Sequence, residues 1–248
     1  MNLAVALGGA LAGAIVGSFI ATLCVRWPRA EQAAGGRSHC DGCGRTLSPG
    51  ELVPIASALL ARGKCRTCDA PIDPLHLKVE MAAAAIGAAA LAIDPGLRGG
   101  SLALFCWLLL APAVLDARYH WLPDRLTIAL AGAGLAIGGF LSGVPILHRL
   151  IGGAAGFASL ALLALAYRRL RGREGMGGGD PKLLGAIGLW TGWAALPAIL
   201  LIASLAGLAS AAIGRRRPLD AVAFGTLLAL GAAIWSAAVL LVPGLGWL

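Results

Sequence analysis

Residues 3–25 run for 23 positions without a charged side chain. A helix of that length covers about 35 Å, enough to cross the roughly 30 Å hydrocarbon core of a bilayer. The pattern recurs. Apolar stretches lie near residues 3–25, 79–93, 101–115, 126–146, 150–167, 183–196, 197–213 and 222–247. Those at 79–93, 101–115 and 183–196 fall short of the ~20 residues a spanning helix usually needs. Composition points the same way, with 58% hydrophobic and 13% charged residues and a mean hydropathy of +0.82. Soluble domains average roughly 45–50% apolar and about 25% charged. A soluble fold of 248 residues could not hide that much apolar surface. The expected fold class is therefore an all-α polytopic membrane protein with about eight transmembrane helices. No basic residue precedes the first apolar run, and its first arginine, Arg26, follows it. That is the reverse of a signal peptide's charge order, so the first helix is expected to stay in the membrane with its N-terminus outside.

Charge sets the expected sidedness. With eight spans, 18 of the 20 Lys and Arg residues fall in loops 26–78, 116–125, 168–182 and 214–221. Only Arg98 and Arg149 fall on the other side. Basic loops stay cytoplasmic, so these four are expected there. Merging residues 183–213 into one span would put Arg215, Arg216 and Arg217 outside, against the same rule. A net charge of +8 in a soluble protein would suggest nucleic acid. Here the sidedness rule accounts for it, leaving membrane lipid and no nucleic acid as the expected surroundings.

The long loop 26–78 carries Cys40, Cys43, Cys65 and Cys68 as two C-x-x-C pairs, with 21 residues between the pairs. Each pair suits a tight turn, and four thiolates can converge on one tetrahedral zinc about 2.3 Å from each sulfur. Two disulfides are the alternative, and they need an oxidising compartment. The loop lies on the basic, reducing side, which favours a structural zinc. Cys24 and Cys106 fall within spans and read as small apolar fillers. His39, His76, His120 and His148 form no ligand spacing.

Two further loops carry carboxylates. In "LDARYHWLPDRLT", Asp116 stands where a span meets the interface, and Asp124 follows eight residues on. In "GMGGGDPK", Gly177, Gly178 and Gly179 lead into Asp180 and Lys182. Carboxylates at membrane depth are expensive and usually functional. Two that face each other can share a proton and activate a water against a peptide carbonyl. Glycine is costly to order, so the run needs a reason. One reason is that Gly177, Gly178 and Gly179 let a substrate backbone lie beside Asp180; the other is a flexible linker. Dinucleotide and phosphate-loop readings fail, because no βαβ unit and no Gly-Lys-Ser/Thr is present.

These motifs resemble the type IV prepilin leader peptidases, which are intramembrane aspartic peptidases of the Gly-x-Gly-Asp type. The likeness runs in order through "GSFIATLCVRWPR", the paired C-x-x-C loop with "LVPIASALLARGKCR", "HLKVE", "LDARYHWLPDRLT" and "EGMGGGDPKLLGAIGLWTG". It implies Asp116 and Asp180 as the catalytic pair, with Asp124 the reserve candidate that otherwise suits a helix start after Pro123. It also implies cleavage of short basic leaders from type IV prepilins or type II secretion pseudopilins, at the cytoplasmic face of a bacterial inner membrane. Glu80, beside Lys78, matches a family glutamate of unassigned role. Lys182 either tunes Asp180 or anchors the interface. Many members also methylate the new N-terminus with S-adenosylmethionine; here Ala21 stands where the family usually has Asn. The implied organisation is a first transmembrane helix at 1–25, a cytoplasmic four-cysteine zinc loop at 26–78, and a transmembrane peptidase domain at 79–248. The rival is a zinc-ribbon membrane scaffold or transporter whose aspartates line a polar path. Position separates the two, since transporters hold such residues near mid-membrane.

Overall fold

The computed structural model describes residues 3–33, 35, 37–213, 222–242 and 244. The loop expected at 214–221, with its three arginines, lies outside the described residues. The chain forms two compact units, Met1–Ala92 and Ile93–Leu248.

The first unit holds α1 (Leu3–Arg26), a short α2 (Ala56–Leu60) and α3 (Leu75–Ile93), with the cysteine loop between α1 and α3. A glycine stripe joins the two long helices. Gly9, Gly13 and Gly17 recur every four residues on α1. A Cβ at Gly13 would lie 2.1 Å from the Ala83 carbonyl oxygen, and one at Gly9 2.4 Å from that of Gly87. Lipid tails give apolar helices no hydrophobic reason to pair, so close backbone approach supplies the packing.

The second unit holds α4 (Leu97–Tyr119), α5 (Asp124–Ser142), α6 (Ile146–Arg171), α7 (Gly179–Thr191), α8 (Leu196–Ile213) and α9 (Phe224–Leu241). Each of the eight expected apolar stretches holds a helix, and among the described residues six helices are long and apolar enough to cross a membrane. Helices α3 and α4 reach 19 and 23 residues, longer than their apolar cores suggested. Their ends carry Lys78, Glu80, Arg98 and Arg118 into the helix, where a hydropathy reading stops short.

Helix α7 stays short, with 13 residues, or about 20 Å against a core of roughly 30 Å. Gly192 ends it at φ 83°, a conformation that side chains resist. Ten of its residues are buried, which fits a central element rather than a lipid-facing span. Helices α6 and α7 touch backbone to backbone. A Cβ at Gly188 would lie 2.3 Å from the Gly152 oxygen, and one at Gly152 would lie 2.6 Å from that of Gly188. On another face, Trp190 is fully buried, donates its ring N–H to the Leu130 carbonyl of α5 at 2.8 Å, and packs on Phe105 of α4. Arg149, expected as an outer-loop charge, is buried on α6 instead. Its guanidinium donates to the Gly134 carbonyl at 2.6 Å and the Leu189 carbonyl at 3.4 Å, tying α5 and α7 together.

The α6–α7 contact is backbone against backbone, so no rotamer change can relieve an added side chain. Gly188→Val should therefore destabilise the second unit by about 1–3 kcal/mol, the usual range for overpacking. Thermal unfolding in detergent would register this as a lower midpoint and reduced accumulation. Gly132→Ala, where no atom lies within 4 Å, should leave both unchanged.

Candidate functional site

In the second unit, three helix ends and one loop converge. Asp116 lies in the last turn of α4, which His120 closes in a left-handed conformation with its N–H on the Asp116 carbonyl. Asp180 lies in the first turn of α7, its N–H donating to the Gly177 carbonyl at 3.2 Å. The two carboxylic residues are only 6% and 5% exposed. They meet beside Gly225 at the start of α9. A Cβ built there would stand 3.1 Å from Asp116 Oδ2 and 3.1 Å from Asp180 Oδ1. The two oxygens are therefore at most about 6.2 Å apart.

A buried carboxylate needs donors. Asp116 Oδ2 accepts the Thr226 backbone N–H at 2.7 Å, and the Thr226 hydroxyl lies 3.1 Å away. That hydroxyl also reaches the Ala113 carbonyl at 2.8 Å. The N–H belongs to the first turn of α9, where helix amides lack partners within the helix. Asp116 thus caps α9 from a different helix. Two carboxyl groups flanking one small gap can act on a single water, one accepting a proton while the other donates.

The glycines ahead of Asp180 differ from one another. Gly178 faces open space, and a Cβ on Gly177 would meet only Asp180 Oδ2, at 3.6 Å. At Gly179 the space is already taken, since a Cβ would lie 2.5 Å from Leu122 Cβ. Leu122, from the α4–α5 loop, also reaches within 2.8 Å of a Cβ on Gly225. Asp124 opens α5 and bonds the Lys182 ammonium at 2.6 Å, on an exposed face.

The four cysteines form their own cluster in the first unit. Their sulfurs lie within 4.8 Å of one another. The two knuckles repeat one turn. Cys40 N–H bonds the Arg45 carbonyl and Gly44 N–H bonds the Cys40 carbonyl; Cys65 with Ala70, and Asp69 with Cys65, do the same. Gly44 and Asp69 hold the matching left-handed position, at φ 70° and 55°. The Cys40 and Cys68 sulfurs are 3.8 Å apart, about the edge of a tetrahedron with 2.3 Å metal–sulfur bonds. The donor set and spacing fit a metal ion. Backbone N–H groups of Thr67 and Cys68 bring the Cys65 thiol down to about 6, toward the thiolate a metal binds. Arg45 donates to Cys65 Sγ at 3.8 Å and pairs with Glu51, whose carboxyl this contact and Ser48 hold at about 2.

Glu80 is buried on α3 and accepts the Ile55 N–H at 2.7 Å. Ile55 sits at φ 63°, ψ −55°, with the Ala56 N–H on the Pro54 carbonyl at 2.6 Å. This is a strained three-residue turn, rare for a β-branched residue. Glu80 holds it in place.

Sequence reasoning missed Leu122, Gly225 and Thr226. The first sits inside the "LDARYHWLPDRLT" motif, but the start of α9 offers no signal beyond an apolar run.

A family model described as the type IV leader peptidase family matches residues 102–212, and one described as the bacterial peptidase A24 N-terminal domain matches residues 11–93. Curated relatives bear the name prepilin leader peptidase/N-methyltransferase. The chain is 40% identical to one from Burkholderia pseudomallei over 203 residues, which are 79% of this chain and 65% of that protein. It is 41% identical to one from Aeromonas hydrophila, covering 69% of this chain and 59% of that protein. It is 37% identical to one from Klebsiella pneumoniae, covering 78% and 88%. The chain thus spans a little under two thirds of the first two relatives' length. No solved structure matches it.

The Asp124–Lys182 pair is exposed on both sides, and such pairs contribute ~0–1 kcal/mol. Asp124→Asn should therefore move the thermal midpoint little, as scanning calorimetry in detergent would register.

Proposed function

The chain belongs to the type IV leader peptidase family, and from that membership we propose that it cleaves the short basic leader of type IV prepilins or type II secretion pseudopilins. Asp116 and Asp180 are the catalytic pair in this reading, working at the cytoplasmic face of a bacterial inner membrane. The observation that carries it is the meeting of two buried carboxylates beside the open glycines at 177 and 178. A substrate backbone laid along those glycines would bring its scissile carbonyl to the pair. Gly179 contributes by admitting Leu122, which seats the α4–α5 loop against α7.

The chemistry is a hydrolysis. One carboxylate takes a proton from water as the oxygen attacks the carbonyl carbon, while the protonated partner donates to the carbonyl oxygen. The C–N bond then breaks, and the first carboxyl returns its proton to the leaving amine. Both carboxylates stand at helix ends rather than helix middles, which supports a peptidase over a transporter with a central polar path. The eight-span reading of the sequence puts 18 of the 20 basic residues on that side, which supports the cytoplasmic orientation.

We assign one structural zinc to Cys40, Cys43, Cys65 and Cys68. Four thiolates complete its coordination, so it would stabilise the loop rather than react. Relatives are also named N-methyltransferases. In the first unit a cavity of about 160 Å³, lined in part by Arg26, Asp73, His76 and Glu80, is smaller than the ~300–1,000 Å³ of most cofactor pockets. The mechanism proposed covers the cleavage step, and no residue is assigned to S-adenosylmethionine.

Asp116→Asn and Asp180→Asn should each abolish cleavage of a co-expressed prepilin at matched protein levels, because Asn can neither accept nor share the proton. Asp124→Asn should cleave nearly as well as the parent. Robust processing by Asp180→Asn would rule out the mechanism.

Cys40→Ser should reduce bound zinc, measured on purified protein by elemental analysis, and lower accumulation before it alters turnover. Metal-free protein with paired disulfides would overturn the zinc assignment.

Reporter fusions at Arg98 and Arg173 should fall on opposite sides of the membrane. Finding both on one side would contradict the proposed orientation.

A further inference from the structure

The start of α9 touches both carboxylates, and the role it takes there rests on the peptidase function proposed for the pair. Thr226 meets a single oxygen, Asp116 Oδ2, at two points: its backbone N–H donates at 2.7 Å, and its hydroxyl, which donates to the Ala113 carbonyl at 2.8 Å, lies 3.1 Å away. The neighbouring Gly225 is buried, and the place of its missing side chain lies 3.1 Å from an oxygen of each carboxylate. A methyl group there would be wedged between them. Leu122, the third neighbour, could swing aside; the paired carboxylates have less room to move.

We infer that the start of α9 is a third part of the site: Thr226 is a positioning residue that fixes Asp116 Oδ2 beside Asp180, and Gly225 keeps open the gap in which the attacking water stands. No residue of α9 is titratable, so α9 acts on the pair through position and not through a charge of its own.

The reaction balances across the pair. Water's oxygen bonds to the carbonyl carbon as its proton passes to one carboxylate, and the protonated partner gives its proton to the carbonyl oxygen. On collapse the C–N bond breaks. The first carboxyl passes its proton to the leaving nitrogen, and a hydroxyl proton of the intermediate returns to the second. An acid and an amine leave, and both carboxyl groups are restored.

The test is steady-state cleavage of a purified prepilin by full-length protein in detergent, with kcat and KM measured separately for the parent, Thr226→Val, Thr226→Ser and Gly225→Ala. Valine keeps the shape and the backbone N–H but removes the hydroxyl that ties α9 to Ala113 and Asp116. It should lower kcat about ten-fold with KM unchanged, the scale of one hydrogen bond. Serine should recover most of that loss. Alanine at 225 should lower kcat by about 100-fold or more, as expected when acid–base geometry is lost. A parental kcat in Thr226→Val, a serine variant as slow as valine, or an effect on KM alone would overturn the inference while leaving the proposed function standing. If Thr226→Val fails to accumulate, Gly225→Ala decides, and a parental kcat there overturns it. If the parent itself leaves the precursor intact, the proposed function falls and the inference falls with it.

Discussion

The second unit depends on how closely backbones can approach inside it. Helix α7 carries Asp180, and at about 20 Å it is too short to hold its own place across a bilayer. Its position comes from neighbours: α6 through Gly152 and Gly188, α5 through Trp190 and Leu130, and the Arg149 guanidinium on the Leu189 carbonyl. In lipid these contacts replace the hydrophobic drive that orders a soluble core. Shift any of them, and the carboxylate at the other end of α7 moves as well.

The site shows the same economy. Asp116 stands at the end of one helix, Asp180 at the start of another, and Thr226 at the start of a third. A helix end offers unmet amides or carbonyls, and here an amide of α9 meets a buried carboxylate. One contact thus caps a helix and solvates an acid. The four-cysteine loop reaches its geometry differently, by repeating one turn. Gly42 shows how tightly the repeats approach, since a Cβ there would lie 2.6 Å from Ala70.

Much of this was legible in the sequence, because the signals were local. Apolar runs marked the helices, paired C-x-x-C spacing marked the sulfur cluster, and two short motifs marked the carboxylates. What escaped was set by distance along the chain. Thr226 bonds a residue 110 positions away, and nothing in "FGTLLAL" announces it. Arg149 looked like an interfacial charge, because hydropathy counts a guanidinium as polar wherever its donors point. The ends of α3 and α4 were placed short for the same reason, and α7 kept its brevity because Gly192 ends it. Glu80 matched a known position, but its task of holding Ile55 in a strained turn could not be read from composition.

The brevity of α7 bears on how such a chain is made. A segment of 13 residues with an aspartate in its first turn has little to gain from entering lipid alone. Its place is set by contacts with α5 and α6, which precede it in the chain, and Asp116 gains its α9 donor only once Phe224–Leu241 has been made. The two buried carboxylates thus come together from segments synthesised far apart. A nascent chain lacks the Thr226 donor until 110 residues after Asp116 has been made.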